Sequence, residues 1–173
     1  MIFLLGGARS GKSSLAVSMA LRHGDRVRFI ATARADDEEM ARRIESHRRQ
    51  RPETWAVVEA PIDLEDAISA SSETETVLID CVTLWISNLM VERDDPTILE
   101  RIEAVADAVG ERVAPTIVVS NEVGSGLVPM DPVGRRFRDL QGTANQRFAA
   151  AADNAYLVVA GRALRLEDAN YVD

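Results

Sequence analysis

Side chains with versatile chemistry are scarce in this chain. One cysteine, Cys81, stands among 173 residues. That excludes an internal disulfide and a cysteine-built zinc cluster, and it fits a reducing compartment, the cytoplasm. Histidine occurs only at His23 and His47, and lysine only at Lys12, every other basic residue being arginine. No apolar run approaches the roughly 20 residues that a membrane-spanning helix needs. The opening Met1-Ile2-Phe3-Leu4-Leu5 carries no basic residue and runs at once into glycine, so no secretory leader is expected. Positive charge is in deficit, with a formal net charge of −8. Neither nucleic acid nor an anionic membrane is therefore expected as a partner, since both reward a basic surface. Internal repeats, low-complexity segments and linkers are missing as well, so residues 1–173 read as a single domain.

What is present is the makings of a layered α/β protein. A hydrophobic share of 46% with 28% charged residues is ordinary for a soluble globular chain. Strands are expected at Met1–Leu5, Val27–Ala31, Trp55–Val58, Thr76–Asp80 and Thr116–Ser120, with a last strand or hairpin over Ala155–Leu166. Helices are expected over Ser13–Arg22, from the Asp36-Asp37-Glu38-Glu39 run to about Gln50, and over Leu64–Ala70, Leu84–Val91, Ile98–Val113 and Val133–Ala152. The strands are continuous apolar runs that alternate with helices. This predicts a mostly parallel sheet flanked by helices, which binds ligands at its strand ends.

The most informative stretch is Gly6-Gly7-Ala8-Arg9-Ser10-Gly11-Lys12-Ser13, a Gly-x-x-x-x-Gly-Lys-Ser spacing directly behind the first apolar strand. Chance produces this full pattern in a chain of this length on the order of once in a hundred or less at average residue usage. Glycines let the backbone approach phosphate, and the amides at the head of the next helix form an anion nest. Lys12 is placed to reach the β and γ phosphates as a point charge, and the Ser13 hydroxyl to ligate the magnesium ion of the nucleotide.

Asp80 closes the apolar strand Thr76–Asp80, where an acid suits a magnesium ion held through water; capping the following helix is the alternative. Met40, Ile44 and His47 share a helix face expected to meet the sheet. His47 is then either a packing residue or a nucleophile served by the neighbouring Arg43, Arg48, Arg49 and Arg51, which either grip triphosphate oxygens or form a solvated face at the helix end. Glu59 ends a strand and faces either a ribose or guanine, or the next helix as a cap. Cys81 lines the nucleotide pocket or is a small buried hydrophobe. Asn121 and Glu122 leave a strand at the ligand edge, and Gly124 and Gly126 permit either a loop over substrate or a structural turn. His23 reads as surface.

These residues together resemble the bifunctional adenosylcobinamide kinase and adenosylcobinamide-phosphate guanylyltransferase family of cobalamin biosynthesis. The likeness is carried by Gly6 to Ser13, Ile30-Ala31-Thr32, Asp37-Glu38-Glu39-Met40 with Arg43-Ile44 and His47, Arg51-Pro52 with Trp55 and Glu59, Asn121-Glu122-Val123-Gly124 with Gly126 and Pro129, and Arg138-Asp139 with Gly142, Asn145-Gln146 and Ala152-Asp153. It implies a P-loop NTPase fold of the RecA-like kind and two reactions. A nucleoside triphosphate, ATP or GTP, phosphorylates the aminopropanol hydroxyl of adenosylcobinamide, and GMP is then moved from GTP onto that phosphate. It also implies that His47 carries GMP as a phosphoramidate, nucleophilic catalysis that splits one hard step in two. By the same resemblance Gly6 to Ser13, Ala31, Thr32, Ala33, Arg48, Arg49, Gln50, Arg51, Glu59 and Cys81 contact the guanine nucleotide, and the assembly is a trimer. Two departures touch only local detail: Val57 replaces a threonine in the Trp-x-Thr-x-Glu stretch, and Arg162-Ala163-Leu164 replaces a more apolar, proline-containing end.

Overall fold

The computed structural model describes residues 1–49 and 51–168. Seven strands form one sheet: β1 (Ile2–Gly6), β2 (Val27–Ala31), β3 (Ala56–Glu59), β4 (Thr76–Asp80), β5 (Thr116–Asn121), β6 (Asn154–Val159) and β7 (Arg162–Leu166). Their order is β3-β2-β4-β5-β1-β6-β7. Every neighbouring pair is parallel except β6 with β7. Six helices connect them: α1 (Lys12–Arg22), α2 (Glu38–Arg48), α3 (Leu64–Ser69), α4 (Val82–Glu92), α5 (Asp95–Gly110) and α6 (Pro132–Ala150).

Strands β4 and β5 are buried along nearly their whole length, which is why they read as unbroken apolar runs. Alternation along them splits the core into two layers. Phe3, Ile30, Val77, Ile79 and Val118 face one side, together with buried residues of α3, α4, α5 and α6. Leu4, Phe29, Leu78, Ile117 and Val119 face the other, where α1 packs through Ala16 and Ala20. Phe3 and Phe148 stack at 6.1 Å between ring centroids, and each is fully buried. Each such side chain contributes about 2 to 3 kcal/mol by leaving water.

The helix ends differ from expectation for local chemical reasons. Helix α5 starts at Asp95 rather than Ile98, because the Asp94 carboxylate accepts the amide of Thr97 at 3.1 Å and Pro96 suits the first turn. The same device, Asp131 accepting Gly134 N–H at 2.6 Å, starts α6 at Pro132. Helix α4 begins at Val82, directly after the extended Cys81. In α1 the inner face is made by Ala16 and Ala20, so Leu15 and Met19 are only partly buried and Leu21 is 47% exposed.

Helix α2 departs most. Its signs are as expected, with Asp37 capping the Met40 amide at 2.7 Å, acids in the first turn, and His47 and Arg48 in the last. It buries no residue, however, and the Met40, Ile44, His47 face does not seat on the sheet. Three ion pairs run along it at i, i+4: Arg42 with Glu38, Arg43 with Glu39, and Arg49 with Glu45. No helix among the described residues is long and apolar enough to cross a membrane.

Candidate active site

The turn from β1 into α1 has the backbone that its glycines foretell. A Cβ on Gly6 comes within 2.3 Å of the Val158 carbonyl oxygen, so only glycine fits beside β6. Gly11 sits at φ 99°, a left-handed conformation that side chains disfavour. Gly7, Ala8 and Arg9 are exposed, whereas Ser10 and Lys12 are buried. The hairpin joining β6 to β7 braces the loop from outside, with the Gly161 amide donating to the Ser10 carbonyl at 2.8 Å. Lys12 Nζ donates to the Gly7 carbonyl at 2.8 Å, spanning the loop from the first residue of α1. Burial holds this ammonium below the usual lysine range, and Asp80 acts against that shift.

Asp80 lies at the carboxyl end of β4, its side chain 15% exposed. Burial pushes its carboxyl above the ordinary carboxylate range, while His47, the Ser13 hydroxyl, Arg51 and Lys12 favour the anion. Ser13 and Asp80 therefore stand together as hard oxygen donors at the mouth of the loop, the donor chemistry that magnesium prefers. Among the described residues no group of three His, Cys, Asp or Glu could hold a metal by itself. His47 brings Nδ1 to 3.9 Å from Asp80 Oδ2, so α2 aims its imidazole at the strand end although the helix stands off the sheet.

The arginines after His47 divide. Arg49 is 77% exposed and paired back to Glu45, and Arg48 is exposed. Arg51 turns inward: its guanidinium lies 3.8 Å over the Phe29 ring, its Nε donates to the His47 carbonyl at 3.0 Å, and its buried Nη1 has no partner among the described residues. Gln50 lies outside the described residues.

Ala31 and Ala33 are half-buried and flank Thr32, which is wholly buried. The Thr32 hydroxyl donates to the Cys81 carbonyl at 2.7 Å and accepts the Cys81 amide at 2.8 Å, locking β2 to the residue after Asp80. Asn88 on α4 donates to the carbonyls of Thr32 and Pro61 at 2.8 and 2.9 Å. Burial pushes the Cys81 thiol up to about 12, so at neutral pH it is a protonated, buried thiol and not a nucleophile. Glu59 is exposed and lines a cavity of about 600 Å³, opposite the ion-paired Arg34 and Glu92 and beside Asp63 and Asp66.

Sequence reasoning missed the braces behind the site. Thr83, Asn88, Ser120, Gln141 and Gly161 carry no motif of their own, and apart from the Gln141–Asn145 bond within α6 their partners lie 21 residues or more away along the chain.

Known proteins bear on this arrangement. A family model described as cobinamide kinase / cobinamide phosphate guanyltransferase matches residues 2–166. The bifunctional adenosylcobalamin biosynthesis protein CobP of Pseudomonas aeruginosa is 42% identical over 166 residues, covering 95% of this chain and 95% of its own. The bifunctional adenosylcobalamin biosynthesis protein CobU of Escherichia coli is 39% identical, covering 96% of this chain and 99% of its own. Among solved structures, a prototypical ATPase from the type III secretion system of pathogenic bacteria superposes with a TM-score of 0.53 at 14% identity, covering 90% of this chain and 50% of that one. This chain thus spans half of that ATPase, and the likeness establishes the P-loop NTPase fold alone.

Proposed function

The chain belongs to the cobinamide kinase / cobinamide phosphate guanyltransferase family, and from that premise we propose that one nucleotide site performs both reactions with His47 as covalent carrier. It is accordingly a kinase and guanylyltransferase of cobalamin biosynthesis. The observation that carries the single-site reading is the convergence of His47, Asp80 and Ser13, with His47 Nδ1 at 3.9 Å from the Asp80 carboxylate that Ser13 also contacts.

In the kinase step the aminopropanol oxygen of adenosylcobinamide bonds to the γ-phosphorus of ATP or GTP. The bond to the bridging oxygen breaks, and its electron pair leaves with the nucleoside diphosphate. Lys12 and the loop amides neutralise the charge that gathers on the β and γ oxygens. In the guanylyl step a neutral imidazole nitrogen of His47 bonds to the α-phosphorus of GTP, and pyrophosphate leaves. An oxygen of the substrate phosphate then takes the GMP and frees the nitrogen. Arg51 serves phosphate oxygens through Nη1, which has no partner among the described residues. Ser13 and Asp80 would hold magnesium, and the ion would supply charge neutralisation to the phosphate oxygens. The Glu59 cavity, lined also by Arg34, Pro61 and Asp63, suits the nucleoside end. On the same resemblance the enzyme works in the cytoplasm as a homotrimer.

The test is incubation with α-labelled GTP and magnesium, followed by quenching and recovery of the protein beside a His47→Ala control. Label that is acid-labile, alkali-stable and missing from the control is the expected result. Absence of label where GTP demonstrably binds overturns the covalent step and leaves a plain P-loop kinase.

A further inference from the structure

Strand β5 lies between β1, which feeds the phosphate loop, and β4, which ends in Asp80. Whatever leaves its carboxyl end therefore stands between Lys12 and the metal-holding acid. The residue there is Asn121, level with Gly6 across the β1–β5 register, and the next amide, Glu122 N–H, donates to the Gly6 carbonyl at 3.0 Å.

The surroundings fix where its side chain goes. Ser120 is fully buried on the α6 face, where its hydroxyl bonds Asn145 Oδ1 at 2.7 Å and accepts Gln141 Nε2 at 2.9 Å. Strand alternation then sends Asn121 to the opposite face, shared by Val119, Leu78 and the P-loop helix, and Asp80 follows Leu78 onto that face by the same parity. The backbone of Asn121 is pinned on both sides. Its N–H donates to Thr83 Oγ1 at 2.8 Å, and its carbonyl accepts Asn145 Nδ2 at 3.1 Å. Its half-buried carboxamide has no protein partner among the described residues. Glu122 differs, because its carboxylate is occupied by the loop itself, accepting the amides of Gly124 and Ser125 and the Ser125 hydroxyl.

We propose that Asn121 is a further catalytic residue, its carboxamide N–H donating to an oxygen of the γ-phosphoryl group of the bound triphosphate. The inference rests on the kinase reading above but on none of its corrinoid detail. Asparagine is suited to the place: it donates to phosphate without adding a second negative charge beside Asp80, and its oxygen remains free to accept the acceptor hydroxyl. The step itself is unchanged. Oxygen bonds to the γ-phosphorus, the bond to the β-phosphate oxygen breaks, and the hydroxyl proton departs to solvent or phosphate, since an amide takes none.

The experiment compares Asn121→Ala and Asn121→Asp with the unaltered enzyme, using a non-hydrolysable triphosphate analogue and the corresponding diphosphate, each with magnesium. The expected result is that Asn121→Ala binds the triphosphate analogue about tenfold more weakly while diphosphate affinity stays within threefold. Asn121→Asp loses more, through repulsion. Phosphorylation of adenosylcobinamide by Asn121→Ala should fall by about a hundredfold in kcat. Equal loss for both nucleotides, or for neither, overturns the proposal. An unaltered enzyme that discriminates the γ-phosphate but fails to phosphorylate adenosylcobinamide overturns the kinase reading instead and leaves the Asn121 result standing.

Discussion

Asp80 is placed where ionisation is unfavourable, and the magnesium role proposed for it requires the anion. Its carboxyl is raised by burial, so the folded protein holds the proton more tightly than the unfolded chain. The cost of charging it is absent below the ordinary carboxylate pKa near 4, and it grows as pH rises through the raised value. Asp80→Asn should therefore raise Tm at pH 7 by about 2 °C or more, and the gain should shrink toward pH 4. Thermal melts across that range check the sign, and the same variant should lose magnesium-dependent nucleotide binding. At this scale the P-loop was legible because its meaning is local, eight residues behind a strand. Thr32 was legible only as a neighbour of the site. Its lock on Cys81 joins residues 49 positions apart, which no spacing along one segment announces.

At the scale of elements, the hairpin of β6 and β7 acts on the site as well as closing the sheet edge. Gly161 sits at φ 74° and gives its amide to Ser10, while its Cα backs against Gly11. Proline there removes the donor and cannot adopt the positive φ, whereas alanine keeps the donor at a strain of about 1 kcal/mol. Gly161→Pro should therefore weaken nucleotide binding by about tenfold or more. Gly161→Ala should lower Tm by only a few degrees and leave affinity within threefold, as calorimetric titration and melting would read. Helix α2 shows the limit of periodicity. Its caps and charges located it to within two residues, and its Met40, Ile44, His47 stripe foretold a common face. The stripe did not say that the face would stay off the sheet, because three apolar-leaning positions among six arginines and acids bury too little area to dock it.

For the molecule as a whole, the arrangement of strands makes Cys81 a reporter of global opening. It is 8% exposed, wedged after β4 in the layer beneath α1, and its thiol stays protonated at working pH. Alkylation at pH 8 should be negligible in the native state, should proceed at the rate of unfolding events, and should slow further when nucleotide is added, since binding stabilises the folded form by mass action. Mass spectrometry of iodoacetamide-treated protein over time checks this, and rapid native labelling would show that the β4 end opens locally. The layered α/β class was visible in the alternation of apolar runs with amphipathic stretches. The insertion of β5 between β1 and β4 was not, because strand order is decided by packing between layers and leaves no mark in any one segment.

That strand order also sets a timetable for biosynthesis. Strand β1 precedes the other strands of the sheet in the chain, yet among the described residues its neighbours are the late β5 and β6, residues 116–121 and 154–159. At about 5 to 20 residues per second the P-loop sequence waits many seconds for the strands that hold it in shape. A nascent chain thus cannot assemble its nucleotide site until nearly the whole domain has emerged. Truncated products of interrupted translation should be unable to sequester nucleotide.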